Sequence, residues 1–107
     1  MRPTAELPTV SPRVDIHESA TELLFLADVP GATAESLQLR LERELLTIEA
    51  TPDLSALPEL APFRYRRAFA LRRAVDADGI KASLKDGVLR VTVPRRDTAR
   101  RIEVVEA

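Results

Sequence analysis

Residues 82–94, Ala82-Ser83-Leu84-Lys85-Asp86-Gly87-Val88-Leu89-Arg90-Val91-Thr92-Val93-Pro94, carry the clearest strand signal in the chain. Leu89, Val91 and Val93 alternate with Arg90 and Thr92, the period of a strand with one face in a core. Ile80, Ala82 and Leu84 keep the same period on the other side of Asp86-Gly87. An Asp-Gly pair between two alternating runs predicts a β-hairpin, because the favoured two-residue turns need residues that tolerate positive φ. Pro94 then closes the run.

Outward from this hairpin the same period recurs. Val14 and Ile16 alternate with Arg13, Asp15 and His17, and Glu22 to Val29 is a longer apolar run ending at Pro30-Gly31. Tyr65, Arg67, Phe69 and Leu71 share one face. Prolines and glycines fall between these runs and not inside them, where they serve as turn residues. Several short strands separated by turn signals predict an all-β sandwich. Residues 32–50 read two ways. Leu37, Leu41, Leu45 and Ile48 sit at helical spacing in a segment rich in Leu, Glu, Arg and Ala. Leu37, Leu39, Leu41 and then Leu46, Ile48, Ala50 also alternate strictly, with a change of phase at Glu42-Arg43-Glu44. Periodicity leaves helix and hairpin both open there.

Composition bounds the function. A chain of 107 residues, 45% hydrophobic with three Phe, one Tyr and no Trp, is one domain with an aliphatic core. Its 16 basic and 17 acidic side chains give a net charge of −1, so no overall field draws it to nucleic acid or an anionic membrane. With no cysteine, disulfides, thiolate-bound zinc and thiol catalysis are excluded. No apolar run approaches the roughly 20 residues that span a bilayer. The start lacks a signal-peptide core. The chain therefore reads as soluble and cytoplasmic, with no cofactor, no nucleic-acid partner and no membrane partner.

Taken in order, these motifs resemble the α-crystallin domain of bacterial small heat-shock proteins, from about Pro12 to Val105. Pro12-Arg13-Val14-Asp15-Ile16 resembles the opening strand, and Leu26-Ala27-Asp28-Val29-Pro30-Gly31 the A-D-L-P-G turn. Leu45-Leu46-Thr47-Ile48 resembles the L-T-I strand. Tyr65-Arg66-Arg67-Ala68-Phe69-Ala70-Leu71 resembles F-x-R-x-F-x-L, followed by Val75-Asp76-Ala77-Asp78. Residues 82–94 are similar to the signature A-x-x-x-[ND]-G-V-L-x-[VI]-x-[VL]-P. The resemblance implies an immunoglobulin-like β-sandwich of about seven to nine antiparallel strands. It also makes Leu37–Glu42 and Leu45–Ala50 strands, against their helical propensity. The implied divisions are an arm at 1–11, the domain at 12–94 and a tail at 95–107.

The implied function is an ATP-independent chaperone, a holdase that binds partly unfolded client proteins and itself forms a homodimer or larger oligomer. Arg101-Ile102-Glu103-Val104 resembles the family's tail motif. Ile102 and Val104 point the same way in an extended segment, so they suit docking by strand addition. The matching groove for tail or client lies between Leu37, Leu39, Leu41 on one strand and Ile80, Ala82, Leu84 on another. The resemblance places Val14, Ile16 and Arg67 at the dimer interface, where a partly buried arginine needs a carboxylate partner. Two features depart from the family: the arm is short, and Thr51–Pro62 is short and proline-rich where relatives carry an exchanged strand.

Other constellations weigh less. His17 between Asp15 and Glu18 pairs with Asp15 on one strand face but finds no third ligand, so no metal site and no catalytic residue is assigned. Arginine clusters at 64–73 and 95–101 have too few interleaved aromatics for nucleic-acid binding. No phosphate loop or nucleophile elbow is present, so the chain is not expected to be an enzyme. The alternative function is a co-chaperone or adaptor sandwich that binds one folded partner.

Overall fold

The computed structural model describes residues 7–71 and 74–96. Its strands are β1 (Thr9–Val10), β2 (Val14–Glu18), β3 (Glu22–Asp28), β4 (Gln38–Glu42), β5 (Leu45–Ala50), β6 (Arg64–Ala70), β7 (Lys81–Lys85) and β8 (Val88–Pro94). They form two four-stranded sheets, ordered β1-β6-β5-β4 and β2-β3-β8-β7. Only β1 beside β6 is parallel; every other pairing is antiparallel. The chain is all-β, as the alternating patterns predict.

The 82–94 hairpin forms as read. Lys85 pairs with Val88 across Asp86 and Gly87, whose φ angles are 51° and 77°. Positive φ at both central residues is the geometry that matches strand twist. Leu89, Val91 and Val93 are fully buried. A second turn packs against this one. Pro30 and Gly31 sit at the centre of a turn closed by Ala32 N–H donating to Val29 O at 3.0 Å, with Gly31 at φ 82°. That is the type II pattern, Pro first and Gly second. Val29 N–H donates to Gly87 O at 2.8 Å, and a Cβ on Gly87 would lie 3.1 Å from Pro30 Cα. Gly87 is thus required twice, by its φ and by the approach of Pro30.

The ambiguous segment resolves as a hairpin. Leu41 pairs with Leu46 and Glu42 with Leu45, across a two-residue turn at Arg43-Glu44. Arg43 adopts φ 57°, which costs an L-residue roughly 1–2 kcal/mol. Strand pairing outweighs that cost because β5 runs through the middle of its sheet. Leu46, Ile48 and Ala50 are buried, and full burial of one Leu or Ile contributes roughly 1.5–3 kcal/mol. A helix over the same residues would aim Leu45 inward, and here Leu45 is 45% exposed. Only Ala34–Ser36 keeps helical geometry, as one 3-10 turn capped by Thr33.

The core joins the sheets through Phe25 of β3 and Phe69 of β6, whose ring centroids are 5.1 Å apart. Because β3 lies over β6, the sheet orders put β2 on the flank of β1 and β6. They put β7 with β4 on the opposite flank. These two flanks are where the inner faces of the sheets reach solvent.

Candidate functional site

On the β4–β7 flank, the register fixes which side chains face inward. Leu39 lies opposite buried Ile48 and Leu41 opposite buried Leu46, so both project towards the core from an edge strand. Ala82 lies opposite Val91 and Leu84 opposite Leu89, with the same result on β7. Leu37 and Ile80 stand one residue before their strands, each at the C-terminal end of a 3-10 turn. The Ser36 hydroxyl anchors the first turn, donating to Thr51 O at 2.9 Å and accepting from Thr51 N–H at 3.0 Å. Leu37, Leu39, Leu41, Ile80 and Leu84 pack against the core yet stay half-buried, and Ala82 is exposed.

All six residues named from the sequence therefore lie on one flank, along two edges. Among the described residues each edge offers a row of backbone groups without a neighbouring strand, a template for adding one. Such a site can hold an extended apolar segment by main-chain bonds and alternate side chains. A depression near β4, lined by Leu37, Gln38, Leu39, Arg40, Thr47 and Glu49, opens on the outer face of that sheet and does not reach β7. Ile102 and Val104 lie outside the described residues.

The residues assigned to the dimer interface lie on the other flank. Val14 and Ile16 of β2 pair with Ala27 and Phe25 and share their inward face. Val14 is half-buried, while Ile16 is 47% exposed because β1 is too short to cover it. Arg67 is half-buried on β6. Among the described residues the guanidinium meets no carboxylate: Nη1 donates to Pro12 O at 3.2 Å, and Cζ stands 4.9 Å from the Phe69 ring centroid. A carbonyl and an aromatic face suit a planar delocalised cation.

Several contacts had no signal in the sequence. The hydroxyl of Tyr65 in β6 donates to Pro30 O at 2.8 Å, clasping the Pro-Gly turn to the facing sheet. Burial raises the Tyr65 phenol above its ordinary value. Arg95 pairs with Glu18 and its side chain is 9% exposed. Glu49 stands between Arg66, at 3.2 Å, and Arg64, at 3.8 Å. In the loop that departs from the family, Asp53 N–H donates to Gly31 O and two tight turns follow, at Leu54–Leu57 and Leu57–Leu60. The amide of Ser55 holds the Asp53 carboxyl below its usual range. Leu57 and Leu60 remain exposed.

His17 faces outward on β2 and is exposed. Among the described residues no group of three or more His, Asp or Glu side chains is placed to hold a metal ion. No helix among them is long and apolar enough to cross a membrane.

A two-sheet sandwich whose outer strands are uncovered among the described residues is a fold that can bind by strand addition. Comparison with known proteins gives its family. The Hsp20/alpha crystallin family profile matches residues 15–105, and the chain belongs to that family of chaperones. A probable 15 kDa heat shock protein of Leptospira interrogans is 35% identical over 102 residues, covering 89% of this chain and 78% of that protein. The 18 kDa antigen 2 of Mycobacterium avium is 36% identical, covering 91% and 75% respectively. Among solved structures, a small heat-shock protein from Xylella fastidiosa, described as having a distinct high order structure, superposes with a TM-score of 0.69. It is 33% identical, covering 91% of this chain and 98% of that one.

Proposed function

We propose that this chain is an ATP-independent holdase that binds partly unfolded proteins along the β4–β7 flank and slows their aggregation. The observation that carries this reading is the pair of edge strands with half-buried Leu37, Leu39, Leu41, Ile80 and Leu84 facing inward between them. An unfolding client offers extended apolar segments, the shape such an edge accepts. The tail motif Ile102-x-Val104 has the same alternation of apolar side chains, so a neighbouring copy's tail is proposed as a competing occupant. Client binding then exchanges one apolar strand for another and needs no nucleotide.

Self-association supports the same economy, because an uncovered sheet edge favours pairing with another copy. We assign the contact to β2, with Val14 and Ile16, and to Arg67, which keeps Phe69 in place beside it. We place this activity in the cytoplasm. We assign the arm to 1–11, the domain to 12–94 and the tail to 95–107, with Thr9–Val10 of the arm and Arg95 of the tail in contact with the domain. To test the holdase reading, a heat-labile client is warmed with equimolar chain and no ATP while light scattering is followed. Suppressed scattering is the expected result, and scattering equal to the client alone refutes it.

A further inference from the structure

A second apolar opening lies on the flank away from the β4–β7 edges. It is a cavity of about 350 Å3 lined by Ile16, Glu18, Leu23, Phe25, Phe69, Ala70, Leu71 and Arg95. Its cause is a missing length of strand. Among the described residues β1 pairs only with Arg64 and Tyr65, so there the second half of β6 has no neighbour on that side, and Ile16 and Phe69 line the gap. Arg64 N–H donates to Pro8 O on this edge, so by alternation the backbone groups of Ala68 and Ala70 face the same way, beyond the reach of β1. Two charged residues, Glu18 and Arg95, stand on its wall and pair with each other.

We propose that this corner is a docking site for the chain's own segment 101–105, with Ile102 and Val104 filling the cavity and the segment completing the sheet beside Ala68 and Ala70. Three observations select that occupant. The described chain runs out at Arg96, next to Arg95 on the wall of the cavity. Ile102 is six residues further on, a reach of about 20 Å when extended, ample for a turn back onto an adjoining surface. Ile102 and Val104 are apolar at a spacing of two, the period a strand needs to put both side chains into one cavity.

The consequence is a second seat for the tail. While it is seated in its own corner, the motif is withheld from the β4–β7 flank of any neighbour. The backbone edge of β2 stays open to a second copy, because the docked segment extends the other sheet. The inference does not rest on client binding, and its test does not measure it.

The absence of native cysteine makes disulfide trapping clean. The full chain carrying Ile102→Cys with Ile16→Cys is oxidised at low micromolar concentration and compared with Ile102→Cys with Arg40→Cys, whose second site is exposed on the outer face. The expected result is an intramolecular disulfide, at monomer mass, forming at least about tenfold faster for the Ile16 pair, as a held segment has the higher effective concentration. Equal rates for the two pairs overturn the proposal. Links found only between chains also overturn it, since the occupant is then a neighbour's tail. A second reading uses hydrogen exchange: the Ala68 and Ala70 amides are slowed in the full chain and lose that protection in Ile102→Asp/Val104→Asp. Exchange unchanged by that substitution overturns the proposal independently of any disulfide.

Discussion

Replacing Tyr65 by Phe removes one oxygen and almost nothing else. The ring stays edge-on to Phe63, with centroids 5.2 Å apart, and the residue is 7% exposed. What is lost is the 2.8 Å bond to Pro30 O. A net hydrogen bond contributes about 0.5–1.5 kcal/mol, and a carbonyl left without a partner costs about 1–3 kcal/mol. The Pro30 carbonyl lies on an exposed turn, so water recovers part of the loss, and we predict a destabilisation of about 1–1.5 kcal/mol. For a domain of this size that is a fall in Tm of about 4–8 °C. The assay is urea unfolding followed by far-UV circular dichroism, since Tyr65 is the only Tyr and there is no Trp. An unchanged m-value with a lowered midpoint locates the effect in the folded state. A midpoint equal to that of the parent chain would show that the clasp between the Pro-Gly turn and β6 is energetically idle.

Gly87→Ala should destabilise by about 2 kcal/mol or more, combining a left-handed φ with a Cβ 3.1 Å from Pro30 Cα, and thermal unfolding reads it directly. Arg43→Gly should do the opposite, stabilising by up to about 1 kcal/mol in urea, because the turn already holds φ 57°. Burial raises the Tyr65 pKa, so the folded state holds that proton more tightly than the unfolded chain does. Its contribution is complete below the unfolded value near 10 and is lost as pH rises through the folded one, so stability should fall above about pH 10 and fall less in Tyr65→Phe. Arg67→Met keeps a long stem but gives up the Pro12 carbonyl and the Phe69 face. We predict a loss of about 1–2 kcal/mol in urea unfolding, and a lower mass by size-exclusion chromatography with light scattering if the assigned contact is correct.

What the sequence makes legible follows the range of the interaction. The hairpin at 82–94 rests on a local turn and on alternation, and both are printed in consecutive residues. The same holds for the inward faces of β3, β6 and β8. Residues 32–50 are different. Their local preference is genuinely helical, and the outcome is set by β6, which pairs with β5 from a distance of about twenty residues in the chain. No window centred on Leu37 contains that information; the family resemblance supplied it. On the β4–β7 flank strand phase gives the inward faces of Leu37, Leu39 and Leu41 and of Ile80, Ala82 and Leu84, while their pairing as a groove is implied only by the family resemblance. The open corner was not legible, since it depends on β1 stopping at Val10 and on which sheet edge stands over β2. The contacts of Arg67 were not legible, because Pro12 and Phe69 reach it only through the fold.

The account stands on the β4–β7 flank as the seat of client binding. The most direct measurement compares the full chain with a Leu39→Asp/Leu84→Asp variant for suppression of a heated client's light scattering at equal concentration, after circular dichroism shows both folded. Both leucines are partly exposed at strand edges, so a charge there meets an incoming strand more than it meets the core. The prediction is a folded variant that has lost most of its suppression. A folded variant that protects the client as well as the parent chain does would contradict the account and move client binding off this flank.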